Sequence, residues 1–158
     1  MSITSSIVTA QSLCPRKAFL LLYPQTSKST DTPHRYVQIL EERAKVNQAK
    51  HLAAIRQRAA TACSSDATLL SSGADFLVNL TLRNRDLEAH CDVLTKVKTP
   101  SELGRHSYEP TIVVGTYSVT REQQTDLAFA GYVLGQIQKQ LPVAGILLTR
   151  DERAHKIL

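Results

Sequence analysis

The segment that most constrains this chain is residues 108–134, where a buried strand runs through a turn into a capped amphipathic helix. Ile112-Val113-Val114 is a continuous apolar run of the kind found in strands covered on both faces. Thr120-x-x-Gln123 fits a capping box, in which each side chain satisfies an orphan backbone donor at the helix start. Leu127, Ala130 or Gly131, Leu134, Ile137 and Leu141 then form one apolar stripe, and Pro142 stops the helix near Leu141. Residues 143–148 supply a further strand. Strand, crossover helix and strand in that order imply parallel pairing in a right-handed βαβ unit.

A hairpin precedes this unit. Phe76, Val78 and Leu80 alternate with Leu77, Asn79 and Thr81. After the polar turn Arg83-Asn84-Arg85-Asp86, a second set, Leu87, Ala89, Cys91, Val93 and Thr95, alternates with Glu88, His90, Asp92, Leu94 and Lys96. Residues 99–104 read as a loop, and residues 155–158 as the start of another strand.

Upstream, residues 36–60 read as a long helix. Val37, Leu40, Ala44, Asn47, His51 and Ile55 share one face at three- and four-residue steps, with Glu41, Lys45, Arg56 and Arg58 on the outer face. Two polar residues on an inward face, Asn47 and His51, mark a site or a rim. A short helix is expected around Cys14 to Leu22, with Pro15 in its first turn, where the missing N–H costs little. Residues 23–33, rich in Ser, Thr and Pro, read as a loop.

With 158 residues, 42% hydrophobic and 21% charged, the chain is expected to be one globular, soluble domain. It has no Trp, so the core must be aliphatic. No apolar run is of bilayer-spanning length, and Phe19 to Tyr23 is too short for a signal segment, so no membrane association and a cytoplasmic location are the expectation. Three cysteines without a C-x-x-C argue against a disulfide framework, and by count exclude a zinc site made of cysteine alone. Net charge is +5, which favours a polyanionic partner. The basic residues form small groups rather than a stripe, among them Arg16-Lys17 and Arg83-Arg85.

The order helix, hairpin, strand, helix, strand resembles the restriction-endonuclease-like core, an α/β fold with a mixed central sheet flanked by helices. More closely, the chain looks like the RecB-like branch of the PD-(D/E)XK nuclease superfamily, related to CRISPR-associated RecB-like exonucleases. Cys14-Pro15-Arg16-Lys17-Ala18-Phe19-Leu20 resembles that branch's C-x-R-K/R-x-[FY]-L entry, and Glu42-Arg43-Ala44 its "ERG…H" helix. Asp92-Val93-Leu94, Tyr108-Glu109-Pro110 and the helix through Leu127 to Leu134 resemble its metal-binding strands and following helix. The likeness implies a single RecB-like nuclease-fold domain over residues 1–158, cut short at its C-terminal side if it belongs to a longer nuclease.

The family's chemistry is metal-assisted phosphodiester hydrolysis, in which carboxylates hold Mg²⁺ or Mn²⁺ and a lysine two residues past the second acid lies on the same strand face. The resemblance gives Asp92 as first carboxylate. Setting Tyr108-Glu109 on the family's strand puts Ile112 at the acidic position and Val114 at the lysine position, and both are apolar. Glu109 as a shifted acid and Lys96 as a migrated lysine would complete an active site, with Asp92, Glu109 and His51 as metal ligands. The helix histidine of the family falls at Asn47 or Gln48, and its helix glutamine at Asp126. Cys14 matches the first ligand of an iron–sulfur cluster found in part of the branch. Cys63 and Cys91 are not at cluster spacing, which argues against a cluster and leaves Cys14 as a small buried residue.

Three functions are compatible with this reading. The first is a nuclease-fold domain with a degenerate catalytic site that binds DNA or other nucleic acid, or works within a larger nuclease or helicase. The second is an active metal-dependent DNA nuclease with migrated ligands. The third is a non-enzymatic interaction module. Arg16, Lys17, Arg83 and Arg85 are the candidate phosphate contacts.

Overall fold

The computed structural model describes residues 2–23, 34–58, 63–64 and 67–157. In chain order these form β1 (Ile3–Thr4), α1 (Ser5–Leu13), α2 (Pro15–Leu22), α3 (Arg35–Arg58), β2 (Cys63–Ser64), a 3₁₀ segment (Ala67–Ser72), β3 (Phe76–Asn84), β4 (Leu87–Val97), β5 (Ser107–Val113), α4 (Arg121–Gln138), β6 (Gly145–Leu148) and β7 (Ala154–Ile157). The strands make one mixed sheet in the order β2-β3-β4-β5-β6-β7, with β1 parallel to β4. β3, β4 and β5 form an antiparallel meander, and α4 carries the chain from β5 to the parallel strand β6. The fold is α/β, a mixed sheet flanked by helices, with the hairpin, the crossover helix and β6 where their patterns place them. Of the loop expected over residues 23–33, residues 24–33 lie outside the described residues, as does the end of the long helix past Arg58.

Both ends of α4 follow from local chemistry. Thr120 accepts the Gln123 N–H while Gln123 Oε1 accepts the Thr120 N–H at 2.9 Å, so the capping box is closed. The helix ends at Gln138 rather than near Leu141, because Lys139 turns left-handed (φ 53°) before Pro142 is reached.

The core lies mainly between the sheet and α4 and is aliphatic except for Tyr108 and Phe129, which corrects the all-aliphatic expectation. Leu77, Leu80, Leu82, Leu94, Tyr108, Phe129, Ala130, Val133 and Leu134 form its main cluster. A smaller cluster on the opposite face joins Ile55 of α3 to Val78 and Val93. The two helices therefore cover opposite faces of the sheet.

These clusters correct the alternation expected for the hairpin. Leu77 lies on the α4 face with Leu80 and Leu82, and Leu94 lies there with Cys91 and Ala89, while Val78 and Val93 turn toward α3. Side-chain phase slips by one residue in both strands at the facing pair Asn79 and Asp92. The register does not change, since Val78 pairs Val93 and Leu80 pairs Cys91 on either side. Asn79 takes up the slip with φ 56°, a left-handed conformation that Asn tolerates better than most residues.

Where the sheet ladder is too short, a side chain completes it. Gln138 is fully buried, and its Oε1 accepts the Tyr108 N–H at 2.9 Å while its Nε2 donates to the Tyr108 and Gln140 carbonyls at 3.3 and 2.7 Å. β6 reaches β5 only at Thr111 to Val113, so Gln138 satisfies the backbone of Tyr108 in place of a strand.

Candidate functional site

Asp92 sits in a gap in the sheet. One edge of β4 pairs with β3 along its length, and the other pairs with β1 at Leu87 and Glu88 and with β5 from Val93 to Val97. Among the described residues no strand covers that second edge between those stretches. There the Asp92 carboxylate, 6% exposed, accepts the Val113 N–H through Oδ2 at 2.6 Å and the Gln48 side-chain amide through Oδ1. His90, two residues earlier, places Nε2 3.5 Å from Oδ1. The hydrogen bond to Asp92 raises the His90 pKa, against an opposing effect of burial. Glu41, Ala44, Lys45, Gln48, His90, Asp92 and Val113 line a cleft of about 270 Å³ at this point.

Helix α3 supplies the facing side chains. Asn47 Nδ2 donates to the Val114 carbonyl at 3.0 Å, and Gln48 reaches Asp92 beside it. Gly115 makes this approach possible. A Cβ at that position would collide with the Leu40 carbonyl oxygen and lie 2.9 Å from the Ala44 nitrogen. His51, one turn further on, is half-buried and lines a neighbouring cleft with Lys50, Thr149 and Glu152. Burial lowers its pKa, with the Asp92 carboxylate acting in the opposite sense.

The other sequence-predicted site residues lie elsewhere. Glu109 pairs with Thr95 in the β4–β5 ladder, three residues along β4 from Asp92, a separation of roughly 10 Å at strand rise. Lys96 pairs with Asp75 and donates to the Gly73 carbonyl at 2.8 Å. It stands opposite Tyr108, whose side chain belongs to the α4-face core. Ile112 and Val114 pack with Leu127 and Leu147 on the α4 side, away from the carboxylate. The β5 residues on the Asp92 face are therefore Glu109, Thr111 and Val113, and the next position in that phase is the sealed Gly115.

The basic candidates are also dispersed. Arg83 is paired with Glu88 at 2.9 Å, and Arg85 sits in the β3–β4 turn with φ 53°. Arg16 and Lys17 are exposed on α2. Cys14 is exposed at the α1–α2 junction, which corrects its reading as a buried residue: its backbone is extended between the end of one helix and the start of the next, outside the packed face of either. Cys91 is the buried thiol, and desolvation pushes its pKa far above the ordinary range.

The donor set at Asp92 does not fit a hard divalent cation, which takes several oxygen ligands. Amide donors hold both Asp92 oxygens, and the cleft's other carboxylate, Glu41, is on the exposed rim. Among the described residues no group of three or more His, Cys, Asp or Glu is arranged to hold a metal ion. His90 and the Val113 N–H belong to this site although sequence reading did not single them out. His90 had a signal, since it shares strand phase with Asp92, but the Val113 N–H had none. No helix among the described residues is long and apolar enough to cross a membrane. No protein-family model matches the chain, and no curated protein matches it.

Proposed function

We propose that this chain is a nucleic-acid-binding domain on a RecB-like nuclease scaffold whose phosphodiesterase site has been converted into a structural one. The observation that carries this reading is the state of Asp92. Its carboxylate is held by Gln48 and the Val113 N–H, the nearest β5 positions on its face are Thr111 and Val113, and Glu109 lies roughly 10 Å along the ladder. The element order α3-β3-β4-β5-α4-β6, with β5 and β6 parallel, supports the restriction-endonuclease-like core that the sequence resembles. The net charge of +5 supports a polyanionic partner.

Incubating the chain with labelled single- and double-stranded DNA in Mg²⁺ or Mn²⁺, beside Asp92→Ala, tests the lost chemistry. The expected result is no metal-dependent cleavage by either protein. Cleavage by the wild type that Asp92→Ala abolishes would overturn the proposal in favour of an active nuclease. Binding is tested by titration at several salt concentrations, because each phosphate contact contributes to the salt slope. Affinity that falls steeply with salt is expected. Absence of binding at low salt leaves the non-enzymatic interaction module as the better account.

A further inference from the structure

On the α3 face, beyond the Asp92 cleft, two hollows lie side by side and make one groove. One, of about 260 Å³, lies between α3 and the β6–β7 turn. The other, of about 240 Å³, runs under the C-terminal part of α3 over the sheet. His51, Ile55, Arg58 and Leu148 line both, so the hollows adjoin along one wall. The floor of the second is mainly apolar, made by Phe76, Val93, Ile146, Leu148 and Ala154.

The polar groups of the two hollows are not equivalent. Lys50 at one mouth is paired with Glu152. Arg58, on the wall shared by both hollows, has no carboxylate partner among the described residues. A cation in the last helical turn is favourable by itself, which accounts for Arg56 equally well. Of these two arginines, Arg58 lines the groove and Arg56 does not. His51, whose pKa burial lowers, adds hydrogen-bonding capacity on the shared wall. An apolar floor beside a guanidinium that has no carboxylate partner among the described residues matches a ligand with an apolar body and a planar anionic head.

We propose that this groove binds a small amphipathic carboxylate, its apolar body on Val93, Ile146 and Leu148 and its carboxylate against Arg58. The guanidinium fork suits a carboxylate in two-point contact, and the volume limits the body to a single ring or a medium-length chain. Asp92 takes no part, so the site stands independently of the nucleic-acid reading.

The test titrates the full chain with octanoate and, separately, with octanol, following backbone amide resonances. Both ligands are expected to shift the amides of Val93, Ile146 and Leu148, with octanoate binding roughly tenfold tighter or more through its charge-assisted contact. Arg58→Gln should bring octanoate down to the affinity of octanol. Ala154→Phe, which fills the floor from the edge strand, should weaken both ligands while leaving amide dispersion native. The proposal is overturned if octanoate leaves the groove amides unmoved at millimolar concentration. It is equally overturned if octanoate binding there is indifferent to Arg58→Gln in a protein whose spectrum remains native.

Discussion

The Asp92 carboxylate accepts the Val113 backbone N–H at 2.6 Å, so a side chain of β4 takes the place of a strand carbonyl where the β4–β5 ladder ends. This contact ties the last residue of β5 to the middle of β4. It also removes an oxygen that a catalytic carboxylate would need free.

Replacing Asp92 by Ala is therefore expected to destabilise the fold by about 2 to 4 kcal/mol, since the buried Val113 N–H and the Gln48 amide both lose a charged acceptor. Urea denaturation measures it. Unchanged or increased stability would mark Asp92 as a functional carboxylate held at a cost.

Gln138→Ala leaves the buried N–H and carbonyl of Tyr108 without the partner that stands in for a strand. A loss of about 2 to 4 kcal/mol is expected, together with faster amide exchange at Tyr108. Exchange at Tyr108 that stays at the wild-type rate would show that water or a shifted strand takes over the role.

Gly115→Ala tests the close approach of α3. The added methyl would meet the Leu40 carbonyl, which is helix backbone and cannot swing aside. Destabilisation of about 2 kcal/mol or more is expected, read as a lowered unfolding midpoint in urea. A neutral result would mean that α3 rests more loosely on the sheet than its hydrogen bonds to Asp92 and Val114 imply.

Asp126 carries a buried oxygen without a hydrogen-bond partner, and burial raises its pKa. A carboxyl with a raised folded-state pKa contributes stability that is fully present below the ordinary aspartate value and is lost as pH rises through the folded value. At neutral pH the charge is then a cost, so Asp126→Asn should stabilise the protein by roughly 1 kcal/mol. Thermal melts at pH 7 and pH 3 check this, and the gain should vanish at the lower pH.

The two histidines should act in opposite senses on acidification. His90, raised by Asp92, contributes stability that is full below its ordinary pKa near 6.5 and lost as pH rises through the higher folded value. His51, lowered by burial, favours the neutral form, so its contribution is lost as pH falls from 6.5 through the lower folded value. His90→Gln should thus reduce stability more at pH 6 than at pH 8, and His51→Gln should improve stability at pH 5 relative to wild type. Melting curves across pH 5–8 give both slopes, and a reversed sign for either variant would contradict its assignment.

Much of the architecture was legible because it is local. The capping box at Thr120 and Gln123, the polar turn between β3 and β4, and the apolar run through Ile112 and Val113 each depend on neighbours in sequence. The inward face of α3 was legible in part: Ala44, Asn47, His51 and Ile55 follow helical spacing, but Val37 is exposed, and Glu41, Lys45 and Arg58, expected on the outer face, line the clefts with Gln48.

The slip at Asn79 and Asp92 was not legible, because a period-two reading assumes that every residue of a strand keeps its phase. The sequence by itself determined the long helix α3, the β3–β4 hairpin and the strand-helix-strand unit after it, though not β1, α1 or β2, and that Asp92 is an acid among apolar neighbours. Only the tertiary structure decided that Gln48 and Val113 close over that acid, that Lys96 belongs to the opposite face, and that Ile112 and Val114 serve the α4 core. The reason is physical: element formation is governed by short-range propensity and periodicity, whereas the partner of a buried carboxylate depends on which distant backbone groups the folded chain leaves unsatisfied.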